Sequence, residues 1–211
     1  MTWSTGRPRL LRSLTLATAA GLAVTAGGIA TASAASAGSS ITVKYKVTGS
    51  TTIKSVNATT SLGPGTLKST VNLSSGKITA SLALPPATVS FKEFGLIPVS
   101  ATTEFVQDGA TTGKLNPNSG AVSTTSKIIL KLTSMSVAGL PVPVPAKCQS
   151  APATISLKSL KGFSVVNGGK LSGTYAIPKF AGCGLLTPVL NATIPGSGNT
   201  IALTLGKGKR V

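Results

Sequence analysis

The chain of 211 residues contains 20 lysines and arginines, three acidic residues, two cysteines and no histidine. Without histidine, nucleophilic catalysis by a serine–histidine or cysteine–histidine pair is excluded, and a zinc site lacks one of its two usual ligand types. The length is sufficient for one domain with a substantial core.

The first 34 residues have the composition of a secretory signal peptide. Three arginines precede an uncharged run from Leu14 to about Ala26, which is too short and too rich in glycine and alanine for a good membrane span. Small residues allow cleavage after Ala34 or after Ala37; an N-terminal anchor helix is the alternative. The sequence thus predicts a signal peptide over 1–34. The mature protein is expected to be secreted or held at the cell surface, without a transmembrane segment.

Export decides how the cysteines are interpreted. Cys148 and Cys183 are the only two, and in an oxidising compartment such a pair predicts a disulfide rather than a metal site. A reactive thiol is the alternative, but no histidine is present to activate it. A bridge of this span would stabilise the fold by roughly 4 kcal/mol, because it restricts the unfolded chain.

From Ser40 onward, apolar and polar residues alternate with a period of two, which predicts β-strands. The predicted strands cover 41–47, 51–57, 67–73, 77–84, 88–94, 99–107, 121–132, 154–160, 163–166, 170–177 and 199–205. Turns are predicted at 61–65 and 74–77, where glycine, proline and serine cluster.

Three segments interrupt this pattern. Residues 108–120 form the longest polar connection and offer a possible subdivision of the domain. The proline-rich run 139–145 predicts an extended edge segment, because its prolines cannot donate to a β-ladder. Residues 184–190 predict a short helical turn. We therefore expect a single all-β domain over 35–211, an antiparallel sandwich or barrel of about ten strands.

No catalytic, metal or cofactor site is predicted. The three acids are Glu93, Glu104 and Asp108, and Glu93 and Glu104 could form a glycosidase pair only if the fold brought them together. We interpret them as surface charges. The pattern Ser-x-x-Lys at Ser74–Lys77 matches a motif of serine acyltransferases, but its two companion motifs are missing, and the stretch is typical of a hairpin turn.

Beyond the leader, 17 basic residues remain against the three acids, a net charge near +14. Sixteen of the 17 are lysines, mostly spaced at one or two per predicted strand. Because arginine forks and aromatic stacking platforms are scarce, no specific nucleic-acid partner is predicted. The lysines are expected on the solvent faces of strands, where they would also attract anionic polymers or lipid headgroups.

One resemblance bears on the last 120 residues or so. The stretch Gly173–Pro188, the following 194–200, and the run 139–145 leading to Cys148 resemble uncharacterised secreted all-β proteins of actinobacteria. The resemblance implies a Gram-positive envelope or extracellular setting and pairing of the cysteines. It implies no activity and no site residues.

These observations predict a secreted, non-catalytic, cell-envelope-associated β protein. Its expected partner is an apolar or amphiphilic envelope molecule, such as a lipid, or an anionic surface polymer, although the sequence marks no particular ligand-binding residues. The alternative is a structural or adhesive surface protein that assembles through its strand edges.

Overall fold

A computed structural model describes residues 39–93 and 95–211. The predicted signal peptide with both cleavage sites, and Phe94, lie outside the described residues. Residues 37–211 form one compact unit. Its elements are β1 (Ser40–Ile53), β2 (Ala58–Asn72), β3 (Lys77–Ala83), β4 (Ala87–Glu93), β5 (Ile97–Gln107), β6 (Thr111–Leu115), β7 (Val122–Val137), β8 (Leu140–Val142), β9 (Gln149–Ser150), β10 (Ala153–Ser159), β11 (Gly169–Ile177), β12 (Phe180–Ala181), α1 (Leu186–Thr193), β13 (Gly196–Leu205) and β14 (Lys209–Arg210).

Eight of these strands close into an antiparallel barrel. Their order around the wall is β1-β2-β3-β6-β7-β10-β11-β13, and β13 pairs again with β1. The closing pair, β7 with β10, runs from Ile128 opposite Ala153 to Ser123 opposite Lys158. The prediction of an all-β antiparallel fold is confirmed, and the structure selects the barrel over the sandwich.

The barrel is taller than its short strands β3 and β6, because β4 and β5 continue the wall below them, between β2 and β7. We call the end that carries the β2–β3 and β6–β7 turns the upper end. Below β6, β5 pairs with the second half of β7, from Gln107 opposite Ile128 to Val99 opposite Val137. Strand β4 pairs with β5 and lies beside the lower part of β2, where the Thr60 hydroxyl donates to Thr88 O at 2.6 Å.

The predicted break between the first two strands is misplaced. Strand β1 continues to Ile53, and the chain turns at 54–57, where Asn57 has a positive φ of 47°. The predicted turn at 61–65 lies inside β2, as a bulge opposite Thr48 that contains Gly63 and a cis bond to Pro64. A bulge accommodates both residues within a strand. Gly63 has a φ of 86°, and a side chain there would meet Val47 O at 2.5 Å.

Two further segments differ from the prediction. The connection 108–120 contains β6, which pairs with β3 and β7 and is part of the barrel wall. Residues 163–166 are not a strand: they fold over the upper end, where Val165 O accepts a hydrogen bond from the Tyr45 hydroxyl. The run 139–145 does supply an edge strand, β8, and the predicted helical turn is α1.

Inward-facing residues of the strands build one main core. Alternate positions of β1, namely Val43, Tyr45 and Val47, are buried, while Lys44 and Lys46 between them are exposed. The other barrel strands contribute mostly leucine and isoleucine to the same core cluster. Because side chains alternate between the two faces of a strand, closing the barrel places nearly every lysine outside.

Candidate functional site

The predicted disulfide is present. Cys148 and Cys183 are bonded at 2.00 Å between the sulfurs, and both side chains are buried. Cys148 O accepts a hydrogen bond from Leu132 N on β7, and Cys183 O accepts one from Leu186 N at the start of α1. The bond therefore ties the segment that leads into α1 to the barrel wall, and its surroundings are those of a structural bridge.

The structure does not bring the acidic residues together. Glu93 ends β4 at the β4–β5 turn, whereas Glu104 lies seven positions beyond Ile97, the partner of Glu93. At about 3.3 Å per residue, the two carboxyl groups are roughly 23 Å apart along the hairpin. Glu104 forms an ion pair with Lys131 at 3.7 Å, with both side chains partly exposed. No grouping of three or more potential metal ligands occurs among the described residues.

The barrel interior is nearly filled. An upper cavity of about 60 Å³ is lined by Val47, Ser69, Ala80, Leu157 and Leu203, among others, and a lower one of about 30 Å³ lies around Leu62 and Phe105. Pockets that hold organic ligands are usually about 300–1,000 Å³. Small inward residues such as Ser69 and Ala80 therefore serve close packing, and the interior offers no space for a lipid.

The few polar groups inside the barrel are satisfied. The Thr51 hydroxyl lies 2.7 Å from the Tyr175 hydroxyl and donates to Thr200 O at 2.9 Å. Burial raises the pKa of both tyrosines above the ordinary value, and at Tyr175 the hydrogen bond with Thr51 opposes that rise. No buried side-chain nitrogen or oxygen in the described chain lacks a partner. The hydrogen bonds of Thr51 link β1, β11 and β13 inside the barrel.

The barrel exterior carries a more distinctive arrangement. On adjacent strands, Lys77 lies opposite Lys114, Lys114 lies opposite Ser123, and Ser123 lies opposite Lys158. We call Lys77, Lys114 and Lys158 the lysine row. A parallel row of threonines runs beside it, with Thr70, Thr79, Thr112 and Thr125 opposite one another in turn on β2, β3, β6 and β7. All seven side chains are exposed.

The lysine row and three of these threonines, Thr79, Thr112 and Thr125, line an open groove of about 590 Å³, and no acidic residue lines it. Gly113 lies at its centre, where a side chain would clash with Ser123 O, so that glycine allows β6 and β7 to approach closely. Like charges directly opposite on adjacent strands are unfavourable, by about 0.7 kcal/mol for two ammonium groups 6 Å apart in water. The pairing of Lys77 with Lys114 therefore costs the fold a little stability.

The sequence indicates that these lysines are exposed but not that they form a row. Lys77, Lys114 and Lys158 are 37 and 44 positions apart along the chain. Only the register of β3, β6, β7 and β10 places them side by side. A usable signal was present in the short alternations Lys-x-Thr and Thr-x-Lys at 77–79 and 112–114, which mark matching positions on two partner strands.

Comparison of the chain with protein-family models, curated proteins and solved structures gives no match. Within the described residues, α1 is the one helix, and it is neither long nor apolar enough to cross a membrane.

Proposed function

We propose that this protein is exported to the cell envelope and binds an anionic, phosphate-rich polymer through the groove between the lysine and threonine rows. The observation that carries the proposal is the in-register lysine row, whose three lysines and the intervening Ser123 lie across four adjacent strands. Its ammonium groups offer three positive charges along one line, with threonine and serine hydroxyls between and beside them as hydrogen-bond donors. A chain of phosphates presents matching charges at regular intervals.

Two features favour a polymer over a small apolar ligand. The interior cavities of about 60 and 30 Å³ are below ligand size, which argues against a carrier that encloses a lipid. The groove is open along its length, and its charge is neutralised by no described acidic side chain. Lysine suits this role, because a flexible point charge tolerates irregular spacing of phosphates better than the planar guanidinium of arginine does.

The closed barrel also weakens the case for assembly through strand edges. Closure pairs both sides of each of the eight barrel strands over part of their length, which removes the edges that polymerising β proteins use. Strand β4 has β5 on one side and the lower part of β2 on the other. No described strand offers a long, flat, apolar edge for another copy.

The proposal is tested with the compact unit 37–211 and inorganic polyphosphate as the probe, by titration calorimetry at several salt concentrations. The variant K77Q/K114Q/K158Q is expected to lower affinity at least about tenfold and to reduce the slope of log affinity against log salt by about two, since roughly 0.7 counterions are released per contact.

A matched control removes the same charge elsewhere. Lys54, Lys92 and Lys147 are exposed and lie outside the groove, so K54Q/K92Q/K147Q should keep affinity within about twofold. Equal losses in both variants would show that net charge alone drives binding, and absence of binding by the unmodified protein would reject the proposal.

A further inference from the structure

The lower end of the barrel exposes large aliphatic side chains from three separate segments. Leu96 at the β4–β5 turn is 82% exposed, Leu140 beyond the β7–β8 turn is 71% exposed, and Leu185 just before α1 is 96% exposed. Ile97 and Val189 are also exposed, at 42% and 56%. We call these five residues the apolar end.

Two of the five residues line one crevice, and Leu96 and Leu140 adjoin residues of its lining. Ile97 and Val189 line an apolar crevice of about 130 Å³, together with Val137 of β7 and Leu190 of α1. Leu96 precedes Ile97, and Leu140 pairs with Val137. The crevice is too small to enclose a ligand, while the exposed leucines lie at turns and protrude from the barrel. Such a convex, aliphatic tip is suited to insertion into a lipid surface rather than to enclosing a partner.

Exposed lysines surround this end. Lys92 lies on the strand that leads to Leu96, and Lys147 packs beside Gly182, next to the disulfide that leads to Leu185. Lys54 is in the β1–β2 turn, whose Ser55 hydroxyl donates to Ile194 O at the end of α1. The one acid here, Glu93, is half-buried in the wall of the crevice. Lysines around an apolar tip match anionic headgroups around acyl chains.

We propose that the apolar end inserts into the interface of a bilayer containing anionic lipids, with Lys54, Lys92 and Lys147 contacting the headgroups. The protein would then be held at a membrane surface by its lower end, while the lysine row on the side of the upper half remains free. This inference is independent of the proposed polymer binding, since it uses different residues at a different place on the barrel.

The test is flotation of the 37–211 unit with phosphatidylcholine vesicles that contain about 30% phosphatidylglycerol or none, because anionic lipid supplies the electrostatic part of the attraction. The unmodified protein should float with the anionic vesicles. L96S/L140S/L185S should reduce its partition coefficient at least about tenfold, since three exposed leucines supply most of the apolar contact.

Two controls make the result specific. Leu73, Leu160 and Val166 are exposed aliphatic residues of the upper end, so L73S/L160S/V166S should change partitioning by less than about twofold. The two lysine variants should have the opposite effects from those in the polyphosphate assay. K54Q/K92Q/K147Q should lose vesicle binding, and K77Q/K114Q/K158Q should retain it.

A spectroscopic readout completes the test. The only tryptophan of the chain is Trp3, outside the 37–211 unit, so L140W introduces a single emitter at the apolar end. Its emission should shift to shorter wavelength with anionic vesicles and be quenched by brominated acyl chains. No binding by the unmodified protein, equal loss in both leucine variants, or loss only in K77Q/K114Q/K158Q would each overturn the inference.

Discussion

The side-chain amide of Gln107 bonds to the backbone of Leu82 as a neighbouring strand would. Its Oε1 accepts from Leu82 N at 2.7 Å, and its Nε2 donates to Ala80 O at 3.1 Å and lies 3.2 Å from the Thr111 hydroxyl. Strand β6 pairs with β3 only from Lys77 to Ala80, and β5 ends at Gln107. The glutamine therefore closes the wall between β3 and the β5–β6 junction, where no peptide group is in position.

Removing this amide should destabilise the barrel. In Q107L, Leu82 N and Ala80 O lose their partner, and each uncompensated group costs about 1–3 kcal/mol. We expect the free energy of unfolding, measured by urea denaturation, to fall by at least about 1.5 kcal/mol. The replacement Q107E keeps the acceptor and loses the donor, so its free energy of unfolding should lie between those of Q107L and the unmodified protein. A loss below about 0.5 kcal/mol in Q107L would show that water replaces the amide at little cost.

Loss of the disulfide should have the largest single effect among these changes. Cys148 and Cys183 are 35 positions apart, and in the chain-entropy model a closed loop of that length is worth about 4 kcal/mol. Urea denaturation of C148A/C183A should show a decrease of this order. Reductant without denaturant should leave the bond intact in the native protein, because both sulfurs are buried. Rapid native-state reduction would contradict that burial.

The two tyrosines make the barrel interior observable by titration. Tyr45 and Tyr175 are the only tyrosines in the chain, and burial raises the pKa of each above the ordinary value of 10.0. In the folded protein, phenolate absorbance should therefore appear at higher pH than in urea.

The same shifts predict how stability depends on pH. Since the folded-state pKa values are the higher ones, the unfolded chain gives up these protons first. Their contribution to stability is complete below about pH 10 and is lost as pH rises through the folded-state values. Y45F and Y175F should each weaken that alkaline loss. Identical titration curves with and without urea would contradict the assignment.

Asn199 is a second buried amide, and its removal should measurably lower the stability of the fold. Its side chain is 1% exposed; its Oδ1 accepts from Lys54 N at 3.0 Å, and its Nδ2 donates to Tyr175 O at 3.2 Å and Gly196 O at 2.9 Å. N199A should lower the free energy of unfolding by at least about 2 kcal/mol. The control is N72A: the Asn72 side chain is only half-buried and accepts hydrogen bonds from Ser75 in the 73–76 turn, so its loss should cost about 0.5–1.5 kcal/mol. Equal effects would contradict the role of burial.

The lysine row predicts opposite effects on stability and binding. K114E places a carboxylate opposite Lys77, replacing a repulsive pair with an attractive one, and should stabilise the barrel by about 0.2–1 kcal/mol. The same change should reduce polyphosphate binding, because the centre of the row becomes negative. K158E lies opposite Ser123 and should lose binding without that gain in stability. If K114E lowers stability, the two side chains do not face each other.

The alternation of residues predicts most of the strands because it depends on neighbours in the chain. Val43, Tyr45 and Val47 alternate with lysines, and this local pattern is sufficient to predict which face is buried. The error at Gly63–Pro64 has a physical cause: the same residues are compatible with a turn or a bulge, and only pairing of β2 with β1 decides between them. Likewise β6 is too short and polar to be predicted before it has β3 and β7 as partners.

The sequence by itself determined the all-β class and the chain's shortage of catalytic groups. These properties depend on composition and on a period of two along the chain. Tertiary structure alone decided that the sheet closes, that its interior is filled, and which exposed residues lie together. The lysine row and the apolar end each join residues distant in sequence, and strand register, which sets such neighbours, is fixed only when the whole sheet pairs and closes.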